Sequence, residues 1–148
     1  MGLDTGAFIA NLLLSHVSQE GHNNGSACAV WILDQVIIFW NTFCSRFIEL
    51  RNDPVEHTGD YFQLFLFGDE TALILVQEDF MEHLLHDTFG FAGMKMLRRN
   101  VGTVHVEDLD RIDSKDIRAK CERHGLDIAK GLIKQAKSYP TMDSIIEM

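Results

Sequence analysis

The chain has 148 residues, 46% of them hydrophobic and 24% charged, which suits one folded unit with a real core and argues against disorder. Its net charge of −9 is uneven: residues 1–90 carry 2 basic and 13 acidic side chains, residues 91–148 carry 11 and 9. The acidic majority excludes general nucleic-acid binding, which needs a basic face to release counterions, and leaves Lys95, Arg98 and Arg99 as the one neighbourhood suited to an anion.

The spacing predicts helices almost throughout. Residues 4–18 open at an Asp4 or Thr5 cap and are apolar on more than one face, the pattern of a buried helix. Such a helix so close to Met1 needs covering, either by an oligomeric partner or by more chain. Gly21 to Ser26 reads as a loop. Residues 27–50 place Val30, Leu33, Ile37, Trp40, Phe43, Phe47 and Leu50 at gaps of three and four, a long amphipathic helix. Arg51 to Gly59 is a polar linker. Residues 70–87 and 89–101 read as two further helices, the second containing glycines. Val104 to Leu109 is a short extended stretch or turn, and Ser114 caps a last long helix bearing Ile117, Cys121, Ile128, Leu132 and Ala136 on one face. Pro140-Thr141 begins a short tail. Without repeats or low-complexity tracts, residues 1–148 are expected to form a single all-helical unit.

Cys28, Cys44 and Cys121 are too far apart for a zinc or thioredoxin pair and read as small buried hydrophobes in a reducing compartment. No run approaches the roughly 18 apolar residues of a membrane span. The opening Met1-Gly2-Leu3-Asp4 has no basic n-region, and Gly6 stands where a myristoylation signal needs Ser or Thr. A cytoplasmic protein with neither membrane nor nucleic-acid partner is expected.

Chemistry is sparse. His83 and His86, three apart on a helix near Glu82 and Asp87, have metal-ligand spacing, but no HExxH pattern or second cluster completes a shell, so a polar face is the expectation. His57-Thr58-Gly59-Asp60 resembles a kinase HGD loop only until the inserted Thr58 is noticed, and no Asp-x-Glu pair follows. No phosphate loop or nucleophile elbow is present. Arg98-Arg99 is the most suggestive pair. Neighbours on a helix diverge by about 100°, so one division sets one arginine in a ligand pocket and the other in an ion pair. From the bare sequence, two exposed arginines are the expectation.

From Asp87-Thr88-Phe89-Gly90-Phe91-Ala92-Gly93-Met94-Lys95-Met96-Leu97-Arg98-Arg99 into Val101-Gly102-Thr103-Val104-His105-Val106-Glu107-Asp108-Leu109, the chain resembles S-methyl-5-thioribose kinases. Gly2-Leu3-Asp4-Thr5-Gly6-Ala7-Phe8-Ile9-Ala10-Asn11-Leu12 is similar to the family's GFDIGAF opening, and Gln19-Glu20-Gly21-His22 to its QDGH. The resemblance covers nearly all of the chain and is most similar to plant-type members. It implies the helical C-terminal lobe of a protein-kinase-like (aminoglycoside phosphotransferase-like) fold, with the N-lobe missing. The implied reaction is phosphorylation of methylthioribose at the 1-hydroxyl by ATP with Mg2+ in methionine salvage, by an enzyme that is a homodimer. It further implies substrate binding by Arg98 and Arg99, and support of the catalytic loop by Asp4. The family's HGD and Asp-x-Glu motifs would precede the opening match and are absent from these 148 residues, so no catalytic residue or metal ligand is assigned here. The chain alone is expected to bind no cofactor and to be inactive. The alternatives are a related phosphotransferase of the same fold and a non-catalytic helical interaction module. Leu3, Thr5, His16-Val17 and Asn100 depart from the family pattern, replacing respectively Phe, Ile, two aromatics and an aliphatic residue.

Overall fold

The computed structural model describes residues 1–22, 25–52, 68–102 and 107–147. Every regular element among them is helical: α1 (Gly2–His22), α2 (Gly25–Asn52), α3 (Glu70–Val101), α4 (Glu107–Asp110) and α5 (Lys115–Gln135), then 3-10 turns at Ala136–Ser138 and Met142–Glu147. The mainly-α expectation holds at this level.

Helix α1 is the hub, packing on α2, α3, α4 and α5. Its Ile9, Ala10, Leu13, Leu14 and Val17 are buried, in one cluster with Val36 and Trp40 of α2, Phe89, Ala92 and Met96 of α3, and Cys121, Ala129 and Leu132 of α5. An element apolar on several faces can satisfy them all only from the centre, which is why α1 takes that place. Its start lies earlier than the expected caps. The Asp4 and Thr5 amides both donate to the Met1 carbonyl, at 2.9 and 3.1 Å, so these residues are already inside the helix.

Thr5, a departure from the family pattern, has a structural partner. Its hydroxyl lies 2.8 Å from that of Thr88, a buried hydrogen bond joining α1 to α3. Replacing one hydroxyl leaves the other without its cross-helix partner, whereas replacing both removes the demand. Thr5→Val alone is therefore expected to cost about 1–2 kcal/mol, and the Thr5→Val/Thr88→Val double variant less than the sum of the singles. Urea titrations of the four proteins in a double-mutant cycle measure this; strictly additive losses would remove the hydrogen bond from the account.

The two helices expected at 70–87 and 89–101 are one continuous α3. No proline interrupts it, and the helix-propensity cost of Gly90 and Gly93, about 1 kcal/mol each, is outweighed by burying Leu84, Leu85, Phe89, Ala92 and Met96 on one stripe. Its start is well marked: Asp69 accepts from the Ala72 amide at 2.7 Å, and the preceding Gly68 turns the chain at φ +82, a left-handed value that favours glycine. Ser114 likewise caps α5, accepting from the Ile117 amide at 3.5 Å. Gly21, His22 and Ser26 belong to helices, not to a loop, and Arg51 and Asn52 still belong to α2. The rest of the expected linker, with His57 to Asp60, lies outside the described residues, as do 104–106. The tail is part of the core: Met142 and Ile145 are buried, and Tyr139 meets Phe89 edge-on at 5.7 Å.

Helix α2 departs from expectation. Within Ser26–Asn52 an 18-residue window reaches a mean hydropathy of 1.5, which makes α2 long and apolar enough to cross a membrane on length and composition, because an average over a window tolerates the isolated polar residues that interrupt a run. Only 17% of that window is buried. One edge carries an aromatic ladder, Phe39–Phe43–Phe47, which reaches Phe8 of α1 at 4.4 Å and Phe80 of α3 at 5.5 Å. Val30, Trp31, Ile38 and Leu50 remain exposed, as do Ile74, Leu75 and Val76 of α3.

Candidate functional site

The site is built on the last turns of α3, where it passes the start of α1. The two helices approach closely because Gly2 and Gly6 face α3: a Cβ on Gly6 would sit 2.7 Å from the Thr88 carbonyl oxygen and 2.9 Å from the Ala92 nitrogen. That closeness brings Leu3 of α1 beside Phe91, Met94, Lys95, Leu97 and Arg98 of α3, which together line a groove of about 330 Å3. Residues 91, 94, 95 and 98 recur at helical spacing and so share one face.

The twin arginines diverge as neighbours on a helix must. Arg98 is exposed on the groove. Arg99 is half-buried, and its Nε is buried without a hydrogen-bond partner among the described residues. Neither guanidinium has a carboxylate within 4 Å among those residues, so the ion pair expected for one of the two arginines is absent among them. Both cations sit where the carbonyl end of the helix dipole favours positive charge, and Gly102 closes the helix by donating to the Arg98 carbonyl at 2.9 Å. Asn100 turns towards α5 and donates from Nδ2 to the Glu122 carbonyl at 3.3 Å, while its Oδ1 is buried and unpartnered among the described residues. The neighbouring Gly125 leaves it room, since a Cβ there would lie 2.8 Å from Nδ2.

Asp4 lies in the first turn of α1, its side chain 89% exposed and its Oδ2 3.8 Å from the Met1 amine. It follows Leu3 of the groove directly in sequence. Lys95 stood out in the sequence only as part of the basic excess; its spacing of three from Arg98 was the signal that both line one surface. Leu3 gave no sign, because its place in the groove depends on the packing of α1 against α3.

Elsewhere the chemistry is structural. His83 is exposed and donates from Nδ1 to the Asp79 carbonyl at 2.8 Å; that hydrogen bond and the Asp79 carboxylate hold its pKa above the ordinary histidine value. It joins His86 in no metal cluster, and among the described residues no group of three His, Cys, Asp or Glu side chains converges on a metal position. Burial pushes the Cys44 thiol up to about 11 and raises that of Cys121, so neither is poised as a nucleophile. Cys121 is buried as expected, whereas Cys28 and Cys44 are only partly so. Of the other departures, His16 donates from Nδ1 to the Ala29 carbonyl at 2.9 Å, tying α1 to α2, and Val17 is in the core.

No family model matches the chain. Methylthioribose kinase 2 and methylthioribose kinase 1 of Oryza sativa subsp. japonica are 38% and 37% identical to it over 150 residues, covering 99% of the chain and 35% of each kinase. The methylthioribose kinase of Escherichia coli O45:K1 (strain S88 / ExPEC) is 33% identical over 152 residues, again 99% of the chain, and 36% of that enzyme. The chain thus spans about a third of the length of the curated relatives it matches. Along almost its whole length, it is related by sequence to methylthioribose kinases of plants and bacteria.

Proposed function

We propose that the chain is the sugar-binding part of the C-terminal, helical lobe of a kinase that phosphorylates S-methyl-5-thioribose at its 1-hydroxyl. One observation carries this: a match over 99% of the chain to enzymes of that name, in a chain whose structure presents Arg98 on a groove with no carboxylate partner among the described residues. Residues 1–148 would form one unit within a protein-kinase-like fold. ATP and Mg2+ would be held by the other two-thirds of the enzyme, since this chain contains neither an HGD triplet nor an Asp-x-Glu pair. The full enzyme would be a cytoplasmic homodimer.

In that setting Arg98 donates hydrogen bonds to the sugar hydroxyls and stabilises the negative charge arriving with the phosphoryl group. Arg99, its Nε facing inward, is positioned by the fold and reaches the substrate with its terminal nitrogens. Asp4, exposed at the start of α1, would accept hydrogen bonds from the loop that carries the catalytic base.

A coupled assay with ATP, Mg2+ and methylthioribose tests this on the chain alone and on a form extended to the relatives' length. Turnover by the extended form alone is the expected result. No turnover by either, from well-folded proteins, favours a second reading, a non-catalytic helical interaction module. The exposed apolar residues of α2 and α3 support that reading. A monodisperse chain that melts cooperatively would strengthen it, and a sticky or molten one would weaken it.

A further inference from the structure

His16 of α1 and His124 of α5 meet across two helices. Their ring centroids lie 6.3 Å apart, edge to face, with His16 half-buried and His124 exposed. The core fixes this meeting, because the next residue along each helix is packed: a Cβ on Gly125 would come 3.6 Å from Val17 Cγ2. The His16 ring is held as well. Its Nδ1 lies 2.9 Å from the Ala29 carbonyl oxygen, which can only accept, so in the neutral ring the lone pair is left on Nε2. A backbone carbonyl that orients the far nitrogen in this way is the usual support of a metal-ligating histidine. One turn beyond His16 on the same face of α1, the Glu20 carboxylate is near enough to α5 to help raise the Cys121 thiol. It meets no cation within 4 Å among the described residues, so negative charge is left beside the pair.

We propose that His16 Nε2 and the His124 ring hold one late first-row divalent cation, of the class of Zn2+ and Ni2+, between α1 and α5. Imidazole nitrogen suits these ions, whereas Mg2+ and Ca2+ take oxygen. Two imidazoles on one ion, with metal–nitrogen bonds of about 2.0–2.1 Å, set their ring centres roughly 5–6 Å apart. The observed separation therefore needs only a small closing movement, which the exposed His124 can make. Water fills the other positions, so no third side chain has to converge, and binding is weaker than in a closed four-ligand centre. The ion clips α5 onto α1, the hub of the fold. This site is independent of the kinase reading: His16 stands where the family pattern has an aromatic residue.

Zn2+ is titrated into the chain by calorimetry, and thermal unfolding is followed by circular dichroism with Zn2+, Ni2+ or Mg2+ and again after EDTA. At ten times its half-saturating concentration Zn2+ is expected to raise Tm by about 4 °C, the mass-action gain for a chain of this size. EDTA reverses the rise, Ni2+ reproduces it and Mg2+ gives none. His124→Gln and His16→Gln are each expected to weaken Zn2+ binding by about ten-fold or more. The first changes an exposed side chain, and the second keeps an amide able to donate to Ala29, so both should fold, as their spectra will show. His83→Gln, on the exposed face of α3, is expected to leave the affinity unchanged. No Zn2+ binding, or binding unaltered in both His124→Gln and His16→Gln, overturns the proposal. Binding lost in His83→Gln instead moves the ion to α3 and overturns it equally.

Discussion

Gly93→Ala lowers the stability of the chain by about 2–3 kcal/mol in urea unfolding, the upper range for overpacking a core, while Gly90→Ala, one turn earlier on the same helix, raises it by about 0.5–1 kcal/mol. The residue change is the same and the backbone is helical at both sites, so the gain from reduced unfolded-state freedom is common to both. Their surroundings differ. Nothing lies within 4 Å of a Cβ at Gly90. At Gly93 it would meet the Ala129 carbonyl oxygen and Ile133 Cγ1, each at 2.7 Å, and Leu132 Cβ at 3.2 Å. Ile133 is partly exposed and its side chain can swing away. The Ala129 oxygen cannot, because it is part of the α5 backbone, so the methyl group must push α5 off α3 and loosen Leu132 and Met96 with it. Equal effects at the two positions would mean that α3 and α5 do not approach as described.

Phe89→Ala is expected to cost about 3–5 kcal/mol, the usual penalty for emptying a buried aromatic site. Phe89 is 0% exposed and belongs to the cluster that joins α1, α2, α3 and α5. It also receives Tyr139 edge-on at 5.7 Å, an arrangement worth about 0.5–1.5 kcal/mol beyond burial. Against a typical stability of about 5–15 kcal/mol, the loss is large enough to put the fold at risk. Because Tyr139 leads into the turn that buries Met142 and Ile145, the tail should be released first. Protease nicking between Ala136 and Met142 at denaturant concentrations below the main transition reads this directly. A loss under about 1 kcal/mol, too small for a cavity of this kind, with an undisturbed tail would refute the packing described here.

Helical content, the apolar character of α1, the Asp87-to-Arg99 segment and the Ser114 cap could all be read from the residues, because each rests on local spacing or a local hydrogen bond; that α1 is covered largely by this chain's own helices, where a partner or more chain was expected, could not. Joining α3 across Gly90 and Gly93 could not, since an isolated glycine argues for a break until the partner packed against it is known. Asp4 and Thr5 were expected to cap α1 for the same reason: both residue types suit a cap, and only the Met1 carbonyl bonds show the helix beginning earlier. Thr5 shows the limit well. Its side chain is an oddity in the sequence and is accounted for only by Thr88, 83 residues away.

The chain's helical class, the apolar stripes that must be buried and the motif that relates it to methylthioribose kinases are all written in its residues. These are properties of neighbours three and four residues apart, or of residues in a fixed order. Tertiary structure alone decided that Arg98 faces a groove and Arg99 turns inward, that Lys95 and Leu3 share that groove, and that the tail is core. Each depends on two helices meeting at a distance set by Gly6 and Gly93, and contact between distant segments has no signature in the local spacing of either.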